Sequence, residues 1–231
     1  MRIVFYGDSL VEGVPGIPFL RRLESKLPQH RLINRGRGGD TVLSLLRRIA
    51  DEPPRSSADL AVVWVGVNDV LAKLTFGHAA LKRLMRQPWA RDPNAFGDAY
   101  ARIVQQLHGT TGRILAIAPL LIGEDPSNRW NEELAELGRI IDGVAASVDG
   151  VGFLDLRGPL LETSLGTPSS DYLPRSVTRI AFDSLFVRSA ARVDQVAGRR
   201  GLRFTLDGVH LNSVGAEVVS EIIGKAIGGR G

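Results

Sequence analysis

Cysteine is absent from the 231-residue chain. That excludes a disulfide-stapled scaffold, a cysteine nucleophile, zinc-finger chemistry and cysteine-held iron–sulfur clusters. No apolar run approaches the ~20 residues that a membrane-spanning helix needs. The N-terminal apolar run covers only residues 3–6, too short for the apolar centre of a secretory signal, so a cytoplasmic protein is expected. Internal repeats and low-complexity linkers are also missing. Nor is charge of one sign concentrated anywhere. The net charge is +4, and 25 of the 29 basic residues are arginine. The pairs Arg21 and Arg22, Arg47 and Arg48, and Arg199 and Arg200 are nevertheless dispersed. A nucleic-acid binder would gather them on one element, so no nucleic-acid partner is expected.

What is present is an alternation of short apolar runs with helical periodicity. Strands are predicted at 3–6, 32–33, 60–65, 114–118 and 151–156. Between them, Phe19, Leu20, Leu23 and Leu27 mark a helix over 18–27, and Val42, Leu45, Leu46 and Ile49 mark another. Asp92-Pro93 opens a helix carrying Phe96, Tyr100, Ile103, Val104 and Leu107. Ser127 is read as the cap of a helix from Trp130 to Val148, and Asn212 precedes the last helix. Residues 70–91 read as less regular. Residues 166–170 read as a loop, followed by one long helix through Ala197. Strands alternating with helices predict an α/β chain: a three-layer α/β/α, flavodoxin-like fold with a five-stranded parallel sheet of order 2-1-3-4-5. The whole chain, 1–231, is expected to be one domain with an insertion at about 157–203. In such sheets ligands bind beyond the carboxyl ends of the strands.

The polar motifs stand at those ends. Gly7-Asp8-Ser9-Leu10 follows the first strand, Asn34-Arg35-Gly36-Arg37-Gly38-Gly39-Asp40-Thr41 the second, and Gly66-Val67-Asn68-Asp69 the third. Asp207-Gly208-Val209-His210 precedes the final helix. Together they supply the parts of acyl transfer. Ser9 offers a hydroxyl that is nucleophilic once a base takes its proton, and His210 is the natural base. Asp207, three residues earlier, can fix the imidazole tautomer. The backbone N–H groups of Ser9 and Gly39 and the amide of Asn68 can face an oxyanion. Asp8 and Asp69 are read as supporting residues. Gly36–Gly39 lacks the Gly-Lys-Ser/Thr of a phosphate loop. His30, His78 and His108 show no paired-ligand spacing, so no metal site is expected and surface or helix-end roles are assigned. Trp64 is read as core, and Trp89 and Trp130 as packing residues.

These four blocks, in this order, resemble the SGNH (GDSL-type) hydrolases over residues 1–156 and 205–227. The resemblance implies Ser9 as nucleophile, His210 as base, Asp207 as its partner, and an oxyanion hole from Ser9, Gly39 and Asn68. It implies the same three-layer fold and no cofactor. The expected function is hydrolysis of a carboxylic ester through an acyl-enzyme, with a small-molecule or carbohydrate ester as substrate and its kind (lipid, thioester or acetylated carbohydrate) left unspecified. Acyl transfer by the same residues and a non-catalytic binding module on the same fold are the alternatives. The intact set of motif residues weighs against the binding module. Segments 70–91 and 157–203 flank the catalytic rim, and the loop at 166–171 is expected to border the substrate entrance. Arg188, Arg192, Arg199 and Arg200 are expected to point to solvent or to the pocket mouth. Val177, Ile180, Ala181, Leu185, Val193 and Val196 are expected to form one buried stripe.

Overall fold

The computed structural model describes residues 1–53, 57–162 and 170–229. Its elements run β1 (Arg2–Gly7), α1 (Ser9–Glu12), α2 (Phe19–Lys26), β2 (Arg31–Gly36), α3 (Val42–Asp51), β3 (Leu60–Trp64), α4 (Val67–Leu74) and α5 (Phe76–Leu84). They continue with α6 (Pro93–His108), β4 (Ile114–Ile117), α7 (Arg129–Ala146), β5 (Val151–Leu154), α8 (Arg157–Glu162), α9 (Val177–Phe186), α10 (Ala190–Arg199) and α11 (Ser213–Gly228).

The sheet has five parallel strands in the order β2-β1-β3-β4-β5. Val62, Val63 and Trp64 of β3 are fully buried, as a central strand covered on both faces requires. Helices α2 and α11 pack together on one side, and α3, α6 and α7 pack in sequence on the other. Phe5, Phe19 and Trp64 meet edge to face, with centroids 6.1 and 5.6 Å apart. The Trp64 indole N–H donates to the Ala118 carbonyl at 3.0 Å, which lets a polar atom sit in the core. Among the described residues, no helix is long and apolar enough to cross a membrane.

Strand register decides where the motifs go. Gly7 pairs with Gly36 on one side and with Trp64 on the other. The three loops that begin after these residues therefore leave the sheet at one level of one rim. Gly7 must be glycine for this: a Cβ there would drive into the Trp64 carbonyl oxygen and Val11.

Several local expectations need correction. The stretch 70–91 is largely helical, as most of α4 and all of α5. Asn128 rather than Ser127 caps α7, because its amide oxygen accepts from the Trp130 and Asn131 N–H groups at 3.0 and 3.1 Å. Ser127 instead bonds Asp125 at 2.7 Å. The long helix through Ala197 is two helices, since Ser189 starts α10 afresh by capping the Arg192 N–H. Its expected buried stripe does not form on α9. Leu185 is 58% exposed, while Asp183 is buried and paired with Arg200 at 2.8 Å. Arg200 therefore turns inward, where it also donates to the Leu206 carbonyl at 2.8 Å. Most of the 166–171 loop lies outside the described residues.

Candidate active site

Ser9 is the first residue of α1. Asp8 caps this short helix, accepting the Leu10 N–H at 2.9 Å, and so fixes the turn from which Ser9 projects. Ser9 Oγ lies 2.9 Å from His210 Nε2. His210 Nδ1 lies 2.8 Å from Asp207 Oδ2. The other Asp207 oxygen accepts the Val209 and His210 N–H groups at 3.1 and 2.9 Å. Both side chains are buried. Burial works against the charge on each, but their mutual attraction and hydrogen bonds prevail. Asp207 is held below the usual carboxylate range, and His210 is raised above the usual imidazole value with further help from Asp8 and Asp183. An ionised carboxylate only accepts, so Nδ1 carries the proton and Nε2 turns its lone pair to the Ser9 hydroxyl.

The loop bearing His210 is closed at its base. Leu206 N–H donates to the His210 carbonyl at 2.6 Å and Asn212 N–H to the Phe204 carbonyl at 3.0 Å. Glu124, in the loop after β4, anchors the approach to it. Its carboxylate accepts the N–H groups of Arg203, Phe204 and Thr205 at 2.7, 2.8 and 2.9 Å and the Thr205 hydroxyl at 2.7 Å. Gly123 N–H reaches the Gly208 carbonyl at 2.7 Å. No motif marked Glu124; its only sequence signal is a carboxylate just beyond a strand end.

On the other side of the rim, Asn68 and Asp69 occupy the first turn of α4, which Gly66 starts. Asp69 is buried and braces two other segments. One oxygen accepts the Val42 N–H and the other the Ala90 N–H, both at 2.9 Å. Burial pushes its carboxyl up to about 6 despite those bonds. Asp40 instead pairs with Arg48 at 2.6 Å and accepts the Ser44 hydroxyl at 2.8 Å. Thr41 caps α3 and donates to the Pro88 carbonyl.

Gly39 has φ +78°, and a Cβ there would lie 2.7 Å from Gln87 Oε1 and 3.1 Å from Lys82 Nζ. The left-handed backbone favours glycine here, and a Cβ would push the tips of Gln87 and Lys82 out of place. Lys82 and Gln87 are buried in this place, and neither stood out in the sequence. The Asn68 amide nitrogen, Nδ2, is buried with no hydrogen-bond partner among the described residues. Lys82 and Gln87 also line a cleft of about 710 Å³, together with Arg47, Lys73, Trp89 and Arg91 among others. Trp89 thus lines a cleft, whereas Trp64 and Trp130 are buried in the core. His30 sits by the N-terminal amine, His108 ends α6, and His78 lies in the first turn of α5 against Thr75. Among the described residues, no group of three His, Asp or Glu side chains is placed to hold a metal ion.

A hydroxyl hydrogen-bonded to an imidazole, itself oriented by a carboxylate, is the arrangement that activates serine for attack on a carbonyl. Set on a 2-1-3-4-5 parallel sheet, it defines the class of the protein as a serine hydrolase acting on carboxylic esters. The sequence model of the GDSL-like lipase/acylhydrolase family matches residues 5–218, and the chain belongs to that family. Solved structures share its fold. Axe2, an acetylxylan esterase from Geobacillus stearothermophilus, is 17% identical with a TM-score of 0.70, over 98% of this chain and 94% of that one. The acetyl xylan esterase AlAXEase is 23% identical with a TM-score of 0.69, over 98% and 100% of the two chains. LAE5, an alpha/beta hydrolase from the metagenome of Lake Arreo, Spain, is 19% identical with a TM-score of 0.69, over 98% and 94%. A comparison with curated protein sequences found no match.

Proposed function

We infer that ester hydrolysis in this protein runs through an acyl-enzyme on Ser9. Ser9 Oγ attacks the ester carbonyl carbon as its proton passes to His210 Nε2. The carbonyl oxygen becomes an oxyanion, held by the Ser9 and Gly39 N–H groups and Asn68 Nδ2. His210 then gives the proton to the departing alkoxide, and the alcohol leaves. Water repeats the sequence and releases the acid. Asp207 stays ionised and stabilises the imidazolium. Asp8 supports the turn at Ser9, and Asp69 ties the loops that carry Gly39 and Asn68 to each other.

The observation that carries this reading is the unbroken chain Ser9–His210–Asp207, with links of 2.9 and 2.8 Å in a buried setting. Small esters, acetylated carbohydrates among them, are the substrates we assign. The acetylxylan esterases that share the fold support carbohydrate esters as the first to try. The test is a panel of p-nitrophenyl esters of rising chain length together with acetylated sugars, run on the wild type and on Ser9→Ala. The short esters and at least one acetylated sugar should turn over. Ser9→Ala should lower kcat by about three to six orders of magnitude with the fold intact. Activity within about tenfold of wild type in that variant would sink the assignment.

A further inference from the structure

We propose that Lys82, seated by Gln87, is a positioning residue that builds the oxyanion hole. The proposal rests on the reading above, in which Gly39 and Asn68 hold the oxyanion.

Helix α5 ends in a left-handed turn at Arg86, with φ 54°. The Gln87 N–H reaches back to the Lys82 carbonyl at 2.9 Å, and the Arg86 N–H to the Arg83 carbonyl at 3.1 Å. This closure, usual with glycine at the left-handed position, folds Gln87 against Lys82. Their side chains then bond adjacent carbonyls of one peptide segment. Gln87 Nε2 donates to the Gly38 carbonyl at 3.1 Å. A trans peptide directs its C=O and the following N–H to opposite sides. Pinning the Gly38 oxygen therefore points the Gly39 N–H away from Gln87. Lys82 Nζ donates to the Gly39 carbonyl, which fixes the next peptide as well.

The same ammonium donates to Asn68 Oδ1 at 2.9 Å, and its third contact is Gln87 Oε1 at 3.4 Å. An amide can present either end, and an ammonium has no acceptor. Lys82 thus selects the Asn68 orientation with Oδ1 toward itself and Nδ2 away. Among the described residues, Nδ2 is left buried without a partner. A buried donor without an acceptor is costly unless a ligand oxygen completes it. The ammonium also stands as a fixed positive charge behind both donors, where it favours negative charge developing on the substrate oxygen.

The charged groups around Lys82 fit this role. Asp8, Asp40 and Asp69 favour its protonated form. Burial nonetheless brings it down to about 8. Arg48 neutralises Asp40. Burial, and then the Lys82 charge, lower the pKa of His78 on the same helix below the usual imidazole value. Above pH 8 the amine loses its charge but keeps two donors, so turnover should weaken there rather than vanish.

The experiment is a double-mutant cycle of Lys82→Met and Asn68→Ala, with kcat and KM measured on p-nitrophenyl acetate from pH 6 to 10. Thermal melts verify folding, and Ser9→Ala serves as the reference. If Lys82 acts through Asn68, Lys82→Met lowers kcat by about ten- to a hundredfold with KM changed less than about threefold. Adding it to Asn68→Ala then costs clearly less than the same substitution costs in the wild type, because the part that acts through Asn68 is already lost. The wild type loses kcat above about pH 8, and Lys82→Met has no such limb. The proposal is overturned if Lys82→Met keeps kcat within about threefold of wild type, or if the two substitutions multiply. Either result beside an inactive Ser9→Ala defeats only the role of Lys82; an active Ser9→Ala defeats the reading beneath it. Gln87→Ala is the second variant, should Lys82→Met not fold. It frees the Gly38 carbonyl while leaving the ammonium, and should lower kcat about tenfold at similar KM. An unchanged kcat there also overturns the proposal.

Discussion

Asp8 precedes Ser9 and is almost fully buried, and burial pushes its carboxyl up to about 7, against the pull of the Leu10 N–H, His210 and Lys82. Two pH effects follow at this residue. His210 titrates above its ordinary value of 6.5, partly because Asp8 is negative beside it. The acid limb of kcat/KM should therefore lie above pH 6.5, and Asp8→Asn should move it to lower pH. The second effect is on stability. The folded state holds the Asp8 proton more tightly than the unfolded chain does. The stability this contributes is complete below about pH 4 and is lost as pH rises through about 7. Asn keeps the acceptor for Leu10 and removes the charge. Asp8→Asn should thus raise the urea midpoint more at pH 8 than at pH 4. A limb below pH 6.5, or an equal gain at both pH values, would contradict this account of the residue. Ser9, Gly39, Asn68, Asp207 and His210 were legible as a group because each follows a strand or precedes a helix at one rim. Lys82 and Gln87 were not. A lysine inside a helix normally lies in solvent, and only the fold reveals that this one donates to the oxygens of Gly39, Asn68 and Gln87.

At the scale of elements, two helices invert the usual pattern. Helix α5 turns His78 and Lys82, four residues apart, inward, while Phe76 and Leu84 are 82% and 80% exposed. Helix α9 buries Asp183 and exposes Phe182, Leu185 and Phe186. Apolar spacing reads the buried side of a helix only when burial is driven by apolar area. Here ion pairs and carbonyl contacts decide the inward face, so 70–91 shows no regular apolar spacing and the apolar spacing of α9 points to a face the structure leaves largely exposed. The sheet and α3, α6 and α11 were legible because their burial is apolar. The loop bearing Asp207 and His210 is likewise held by a polar device. Glu124→Ala would strip acceptors from three backbone N–H groups and a hydroxyl. It should destabilise the protein by at least about 2 kcal/mol and lower kcat. Glu124→Gln, which keeps one carbonyl oxygen for Phe204 and Thr205, should do less of both. Chemical denaturation with an unchanged m-value measures the first effect. Equal stability of Glu124→Ala and wild type would show that the loop holds its shape without this anchor.

For the whole molecule, the parallel register carries the three strand-end loops to one rim, and the closed loop before α11 completes it from the far end of the chain. Ser9 and His210 are 201 residues apart in sequence and 2.9 Å apart in space. The central claim is that this meeting point forms the covalent bond with the substrate. The most direct measurement is mass spectrometry of the protein after reaction with an organophosphonate ester, followed by peptide mapping. The account predicts one added phosphonyl group, located on Ser9. It should be absent in Ser9→Ala and strongly slowed in His210→Ala, because the hydroxyl then lacks its base. An adduct on any other residue, or full labelling of Ser9→Ala, would contradict it.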